Sequence, residues 1–157
     1  MSVVVRRARS EDAAAVARFA LALFAQHRGY DAARFADLGS PEGAARYYMS
    51  RANAHDAAVF VAESEGEVVG FAYLEYEQID YANLLENAVW LHDLFVEEGS
   101  RGSAVGKLLM QATVDFAKET GAGKIVLTVA AKNTLAQDFF RKSGFRETMV
   151  EMTLNIT

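Results

Sequence analysis

The chain has 157 residues, about half of them apolar and a quarter charged, with a formal net charge of -5 and no cysteine. That length suits one domain, 1–157, rather than two independent cores. The missing cysteines exclude disulfides, a thiol nucleophile and any thiolate-held metal, and the acidic balance argues against nucleic acid or an anionic membrane as the main partner. The opening Met1-Ser2-Val3-Val4-Val5-Arg6-Arg7 does not read as a signal peptide. No window approaches the ~18 apolar residues of a membrane span, so a cytoplasmic location is expected.

In chain order, residues 3–8 form a β-branched run, read as a first strand. Ser10, with Glu11 and Asp12 behind it, resembles a helix start, and Val16, Phe19, Ala20, Leu23 and Phe24 continue at helical spacing to about residue 26. The stretch 27–41 is mixed. A second helix is predicted over 42–52, with Ala45, Tyr48, Met49 and Ala52 on one face. Runs at 57–63 and 67–77, joined by Ser64-Glu65-Gly66, read as a β-hairpin. After a polar-aromatic interruption at 78–87 comes a strand at 88–96, then a glycine-rich turn and a helix from Val105 to Gly121. Residues 125–130 read as a strand buried on both faces. Asn133 caps a short helix to Lys142, and a last strand is expected over 145–154. The order β-α-α-β-β-β-α-β-α-β implies one α/β domain with a mixed sheet.

The strand-turn-helix around residues 95–109 has the geometry of a phosphate site. A helix start offers unpartnered amides and the positive dipole end, and glycine lets a ligand approach the backbone. Arg101 and Lys107 add positive charge. An ordinary strand–helix connection remains the alternative for the glycines alone. The P-loop is excluded because Gly102 and Gly106 are too close and Leu108 follows Lys107. The dinucleotide fingerprint is excluded by the late position of the turn.

Val96-Glu97-Glu98-Gly99-Ser100-Arg101-Gly102-Ser103-Ala104-Val105-Gly106 resembles motif A of the Gcn5-related N-acetyltransferase (GNAT) superfamily. Asn133-Thr134-Leu135-Ala136-Gln137-Asp138-Phe139-Phe140-Arg141-Lys142-Ser143-Gly144-Phe145 is similar to its second signature. The resemblance covers the chain and implies a mostly antiparallel sheet of six to seven strands flanked by about four helices. It implies acetyl-CoA as cosubstrate, with no metal. Arg101, Gly102, Ser103, Ala104, Val105, Gly106 and Lys107 would hold the pyrophosphate, and backbone amides around Phe95 and Val96 would polarise the carbonyl. Asn133 would touch the pantetheine arm, Phe140 would lie near the sulfur, and Lys142 belongs to the same signature. The chain departs from the family pattern at Glu98, which replaces a proline, at Ala104, which replaces a glycine, and at Phe140, which replaces the usual tyrosine acid.

Trp90-Leu91-His92-Asp93-Leu94-Phe95-Val96 places two polar residues in an apolar strand, which is costly unless they are paired or wet. It looks like the matching stretch of the diamine (spermidine/spermine-type) acetyltransferases. His92 then reads as the proton acceptor and Asp93 as its helper or the holder of a cationic substrate; a hydrogen-bonded structural histidine is the competing reading. Glu75, Glu77, Asp80 and Glu86 are candidates to attract the amine, and Tyr76, Tyr81 and Trp90 to line its pocket, against a solvated sheet edge or aromatic core. His27 and His55 lack metal-ligand spacing. The function expected is acetyl transfer to a primary amine of a small cationic substrate, a diamine, polyamine or lysine analogue. An aminoglycoside or protein amine is the alternative acceptor, and a non-catalytic acyl-CoA sensor the alternative class. A homodimer through the apolar strand at 148–156 is expected by analogy.

Overall fold

The computed structural model describes residues 2–102 and 104–156, so the expected role of Ser103 lies outside the described residues. The elements are β1 (Val3–Arg7), α1 (Ala13–Tyr30), α2 (Pro41–Ala52), β2 (Ala57–Ser64), β3 (Glu67–Asp80), β4 (Leu85–Val96), α3 (Val105–Thr120), β5 (Lys124–Val126) and α4 (Thr134–Lys142). Five strands lie in the order β1-β2-β3-β4-β5; all neighbours are antiparallel except the parallel β4–β5 pair. The sheet is therefore mixed, as expected, but has five strands among the described residues rather than six or seven.

Local chemistry sets the boundaries. Ser40 accepts the Gly43 amide at 3.0 Å and Pro41 opens α2, whose start needs no donor there. The β2–β3 hairpin turns on Glu65 and Gly66, both at positive φ (52° and 81°), the primed geometry that matches strand twist. At the end of α3, Gly121 takes the left-handed conformation and the Ala122 amide reaches back to the Ala117 carbonyl at 2.9 Å.

Alternation along the strands sorts side chains between two apolar layers. Val59, Val61, Phe71 and Tyr73 meet α1 and α2, whereas Ala58, Ala62, Ala72 and Leu74 meet α3. Burying each large side chain contributes about 1.5–3 kcal/mol. In β4 the phase slips. Val89 and Leu91 face α3, yet Phe95, also odd-numbered, faces α1. The cause is a bulge: Tyr73 pairs with Asp93 and Leu74 with Leu91, leaving His92 as the extra residue. Across from the far side of the bulge, a Cβ at Gly70 would lie 2.7 Å from the Phe95 carbonyl oxygen, so only glycine fits there without displacing backbone.

Two predicted strands are shorter or absent. β5 ends at Val126, not at residue 130, and its Ile125 and Val126 are half-buried and its Lys124 exposed rather than enclosed on both faces, because no element covers its outer edge among the described residues. Residues 145–154 belong to no strand, since among the described residues no strand pairs with them. In the other direction, β3 and β4 run into the stretch read as an interruption, to Asp80 and from Leu85.

At the sheet's start, Asp12 is buried and accepts both Arg6 Nη atoms, at 2.7 and 3.0 Å, and the Arg9 amide at 2.7 Å. The Arg6 hydrogen bond, aided by the Arg9 amide, holds its carboxyl below the usual aspartate range. The folded state therefore prefers the ionised form, and that stability is present above the ordinary aspartate pKa and lost as pH falls through the lower folded value. Asp12→Asn should cost about 3 kcal/mol at pH 7 in urea unfolding. The difference from the parent should shrink as the pH is taken below about 4.

Candidate active site

The site is built where β4 and β5 separate. They pair only through Ala88–Lys124, Val89–Ile125 and Trp90–Val126. Beyond that, β4 continues to Val96 while residues 127–130 form no ladder. The split begins where the bulge at His92 distorts β4, as bulges do by locally bending a strand and disrupting its ladder. The Glu97 amide donates to Val69 of β3 at 2.8 Å. Because amides alternate in direction along a strand, Phe95 also points toward β3, and the Leu94 and Val96 amides point into the gap. The Val96 carbonyl, on the same side, accepts Arg101 Nε at 2.9 Å.

Two hollows open from this split. The larger, about 420 Å³, lies under α1 and α4 and is lined by His27, Arg34, Phe35, Leu94, Leu127, Asn133 and Phe140 among others. The smaller, about 270 Å³, is lined by Glu75, Glu77, Asp80, Asn83 and Trp90. Leu91, His92 and Thr128 line both. His92 thus stands at the boundary between a mostly apolar cleft and an acidic one.

The imidazole is held on three sides. Its ring stacks on Tyr73 at 5.1 Å and on Trp90 at 5.9 Å. Its Nε2 lies 3.0 Å from Glu75 Oε1. Glu75 is in turn paired with Arg51, which also donates to the Tyr73 hydroxyl at 3.0 Å. Tyr47 and Tyr73 share a hydrogen bond of 3.1 Å. Asp93 accepts the Tyr48 hydroxyl at 2.6 Å. Burial pushes the Asp93 carboxyl above the usual range, against the lowering effect of the Tyr48 hydrogen bond and of His92. Burial likewise raises the Tyr48 and Tyr73 phenols, so both remain protonated donors. In the acidic hollow, the Asn83 side chain and amide hold Asp80 below the usual carboxylate range, which keeps it ionised at neutral pH.

Most residues singled out from sequence meet here, with clear exceptions. Glu75, Glu77, Trp90 and His92 share one hollow; His92, Asp93, Asn133 and Phe140 share the other. Tyr81 and Glu86 are exposed near the β3–β4 turn and line neither, and Tyr76 instead donates to Asn87 at 2.7 Å. Lys142 is exposed in the last turn of α4. Phe95 is a core residue packed on Phe19 at 5.4 Å. Asn133 caps α4 by accepting the Ala136 amide at 3.1 Å. Sequence reasoning missed the contribution of α2: Tyr47, Tyr48 and Arg51. Their signal was a helix carrying hydroxyl and guanidinium tips at 47, 48 and 51, but the partners lie 22–45 residues away.

The turn before α3 suits a diphosphate. Gly102 sits at φ +82° in open space, and Gly99 is equally unobstructed. Ala104, the N-cap, has no side-chain acceptor, and a helix start leaves the Gly106 and Lys107 amides without partners inside the helix. Lys107 is exposed on the first turn, and the Gly106 face meets the Phe139 ring, where a Cβ would come within 3.3 Å. Among the described residues no group of three His, Asp or Glu side chains could hold a metal ion, and no helix is long and apolar enough to cross a membrane.

Comparison with known proteins places this geometry. Residues 27–145 match the model of the acetyltransferase (GNAT) family. The uncharacterized N-acetyltransferase YhfO of Bacillus subtilis is 29% identical over 143 residues, covering 91% of this chain and 89% of that protein. An N-alpha-acetyltransferase of Sulfurisphaera tokodaii is 31% identical over 120 residues, 72% of this chain and 71% of its own. The chain spans less than half of a third relative, the streptothricin acetyltransferase of Streptomyces lavendulae (35% over 91 residues, 57% of this chain and 45% of that one). Among solved structures, the aminoglycoside N-acetyltransferase AAC(6')-Iy in complex with CoA superposes with a TM-score of 0.81 at 20% identity, over 99% of this chain and 95% of that one.

The Tyr48–Asp93 bond is open to a direct test. Removing the hydroxyl strips the buried carboxyl of a hydrogen-bond donor, a loss of about 1–3 kcal/mol in unfolding experiments while the carboxyl is ionised. Because the Tyr48 bond favours the ionised form of a carboxyl that burial pushes up, the deficit of Tyr48→Phe should be largest at alkaline pH and fade toward acid pH, where the carboxyl is protonated and needs the bond less.

Proposed function

The chain belongs to the acetyltransferase (GNAT) family and is an acetyl-CoA-dependent N-acetyltransferase, and from that premise we propose that it acetylates a primary amine of a small cationic substrate, a diamine, polyamine or lysine analogue. The observation that carries this reading is His92, which faces an acidic hollow on one side and the cleft of Asn133 and Phe140 on the other.

Acetyl-CoA supplies an acetyl group activated as a thioester. The turn residues Arg101, Gly102, Ala104, Gly106 and Lys107 would hold its pyrophosphate, and the cleft beneath α4, with Asn133 and Phe140, its pantetheine arm. The Val96 amide, aimed into the gap, would steady the carbonyl oxygen. In the acidic hollow, Glu77 and Asp80, which stand outside the Glu75–Arg51 ion pair, would draw in a cation, and the Trp90 ring offers it a π face. Such an amine has a pKa near 10.4, so almost none is free base at neutral pH. His92 supplies the acceptor. With its Nε2–H donated to Glu75, the neutral ring keeps the Nδ1 lone pair to take the amine proton, and Glu75 steadies the imidazolium that forms. Holding amine and thioester on either side of one side chain supports direct attack with both reactants bound.

A second reading replaces the small amine with an aminoglycoside. It is favoured by the likeness to AAC(6')-Iy, and the acidic hollow suits its several ammonium groups equally. We also place the enzyme in solution as a homodimer.

The test is release of free thiol from acetyl-CoA against a panel of diamines, lysine analogues and aminoglycosides. Amine-dependent release identifies an enzyme and its best acceptor; no release with any amine would leave a sensor. His92→Ala should lower kcat/KM about 100-fold at pH 7. Its residual rate should climb about tenfold per pH unit toward pH 9, following the free amine, whereas the parent levels off. An unchanged kcat/KM across pH 6–9 would exclude His92 as the base. Glu75→Gln should give a smaller loss of the same pH shape.

Phe140 has no proton for the departing thiolate. Water or a neighbouring group must provide it, so Phe140→Tyr should raise kcat about tenfold where that step limits the rate. A rate and pH profile equal to the parent's would show that thiolate protonation is not limiting.

A further inference from the structure

A thiolate leaves the reaction, and Phe140 has no proton to give it. The end of β5 carries a hydroxyl that does. Trp90 and Val126 form the last pair of the parallel β4–β5 ladder before the strands part. His92 and Thr128 each lie two residues further on, and a step of two returns a side chain to the same face. His92 stacks on Tyr73 and Trp90, which places its ring on the α2 side of the sheet, where Tyr73 packs. Leu127 packs into the opposite layer, against α3, so Thr128 is on the α2 side as well. The two polar side chains thus face each other across the mouth of the split.

Among the described residues, only Leu91, His92 and Thr128 line both hollows, and Thr128 carries the only hydroxyl in either. That side chain is exposed, and its hydroxyl makes no hydrogen bond to any described residue. The other titratable groups of the larger hollow are engaged elsewhere. His27 Nδ1 meets the Leu23 carbonyl at 2.8 Å, Arg34 is paired with Glu151 at 2.6 Å, and Asp93 is turned onto Tyr48. Asn133 caps α4, and a carboxamide is no acid at neutral pH.

We propose that Thr128 Oγ1 gives the departing sulfur its proton and draws a replacement from His92. The inference rests on the reading of His92 as the base and adds the return of the proton. As the amine nitrogen bonds to the acetyl carbon, its proton passes to His92 Nδ1. The C–S bond breaks with both electrons going to sulfur. The Thr128 proton then moves to sulfur while the His92 proton moves to Oγ1, which leaves the amide, the CoA thiol, a neutral imidazole and an intact hydroxyl. The transfer runs downhill, because an imidazolium is a stronger acid than an alkyl thiol by about two pKa units. The hydroxyl needs no acidity of its own, since it gains one proton as it gives up another.

The first test uses CoA alone. A hydroxyl aimed at sulfur favours the thiolate, so the thiol of enzyme-bound CoA, followed by thiolate ultraviolet absorbance, should titrate about one pH unit higher in Thr128→Val than in the parent. Glu75, His92, Asp93 and Arg34, the charged groups of the two hollows nearest His92, are the same in both proteins, so the difference reports the hydroxyl. In turnover, Thr128→Val should lose about tenfold in kcat with circular dichroism unchanged, and Thr128→Ser should recover most of that loss. Adding Phe140→Tyr to Thr128→Val should also restore kcat, because the phenol replaces the missing acid; a lost packing contact would not be repaired that way. An unmoved thiol titration, an unchanged kcat in Thr128→Val, or a loss that Phe140→Tyr does not restore would each overturn the relay. Failure of the underlying reading looks different: His92→Ala at parental kcat/KM sinks the base, and the relay's proton supply with it.

Discussion

Everything at the active site follows from three backbone pairs and one surplus residue. β4 and β5 are zipped at Ala88, Val89 and Trp90 and then part. A fully zipped parallel pair would consume the amides that now face the gap, and would leave no room for a thioester. The bulge at His92 accompanies the split and also reverses the phase of β4. It carries the imidazole to the surface between two hollows and turns Asp93 inward onto Tyr48. The polar pair that looked costly in an apolar strand is thus accommodated by two routes, one residue kept wet and the other hydrogen-bonded.

Around that break the molecule spends its polar groups in chains rather than in isolated pairs. Arg51 joins Glu75 to Tyr73, Tyr73 joins Tyr47, and Glu75 reaches His92. Such a network fixes ring orientation and tautomer more firmly than any single contact. Glu77 and Asp80 stand outside it, so their charge is available to a cation, while the charge of Glu75 is largely engaged by Arg51.

Much of this was legible in the sequence, and for identifiable reasons. Elements whose signals are local, such as the periodicity of α1 and α3, the Glu65-Gly66 turn and the cap at Asn133, match the structure closely. The glycine-rich turn and the Asn133–Phe145 signature carry their spacing on their face, so the family was readable too. What escaped depends on pairing between distant segments. Nothing near His92 announces a bulge, because a bulge is a mismatch between β4 and β3. The truncation of β5 and the unpaired arm at 145–156 were missed for the same reason: alternation shows that a segment can be a strand, not that a neighbour is present. Periodicity puts Tyr48 on one face of α2 with Ala45, Met49 and Ala52, and the residue is indeed buried, but such a pattern is blind to what its hydroxyl meets.

The close approach at Gly70 divides the protein by how freely it can be rewritten. Glu77 lines the acidic hollow outside the Arg51 network, so under the proposed reading exchanging it for another side chain would alter the preferred acceptor at little structural risk. Position 70 pairs with Val96, next to the Phe71–Phe95 pair, and any side chain there must displace the Phe95 main-chain oxygen. The acidic hollow therefore tolerates substitution and the strand spacing does not. A side chain lining the hollow, such as Glu77, can be exchanged while the distance between the two inner strands stays fixed by Gly70.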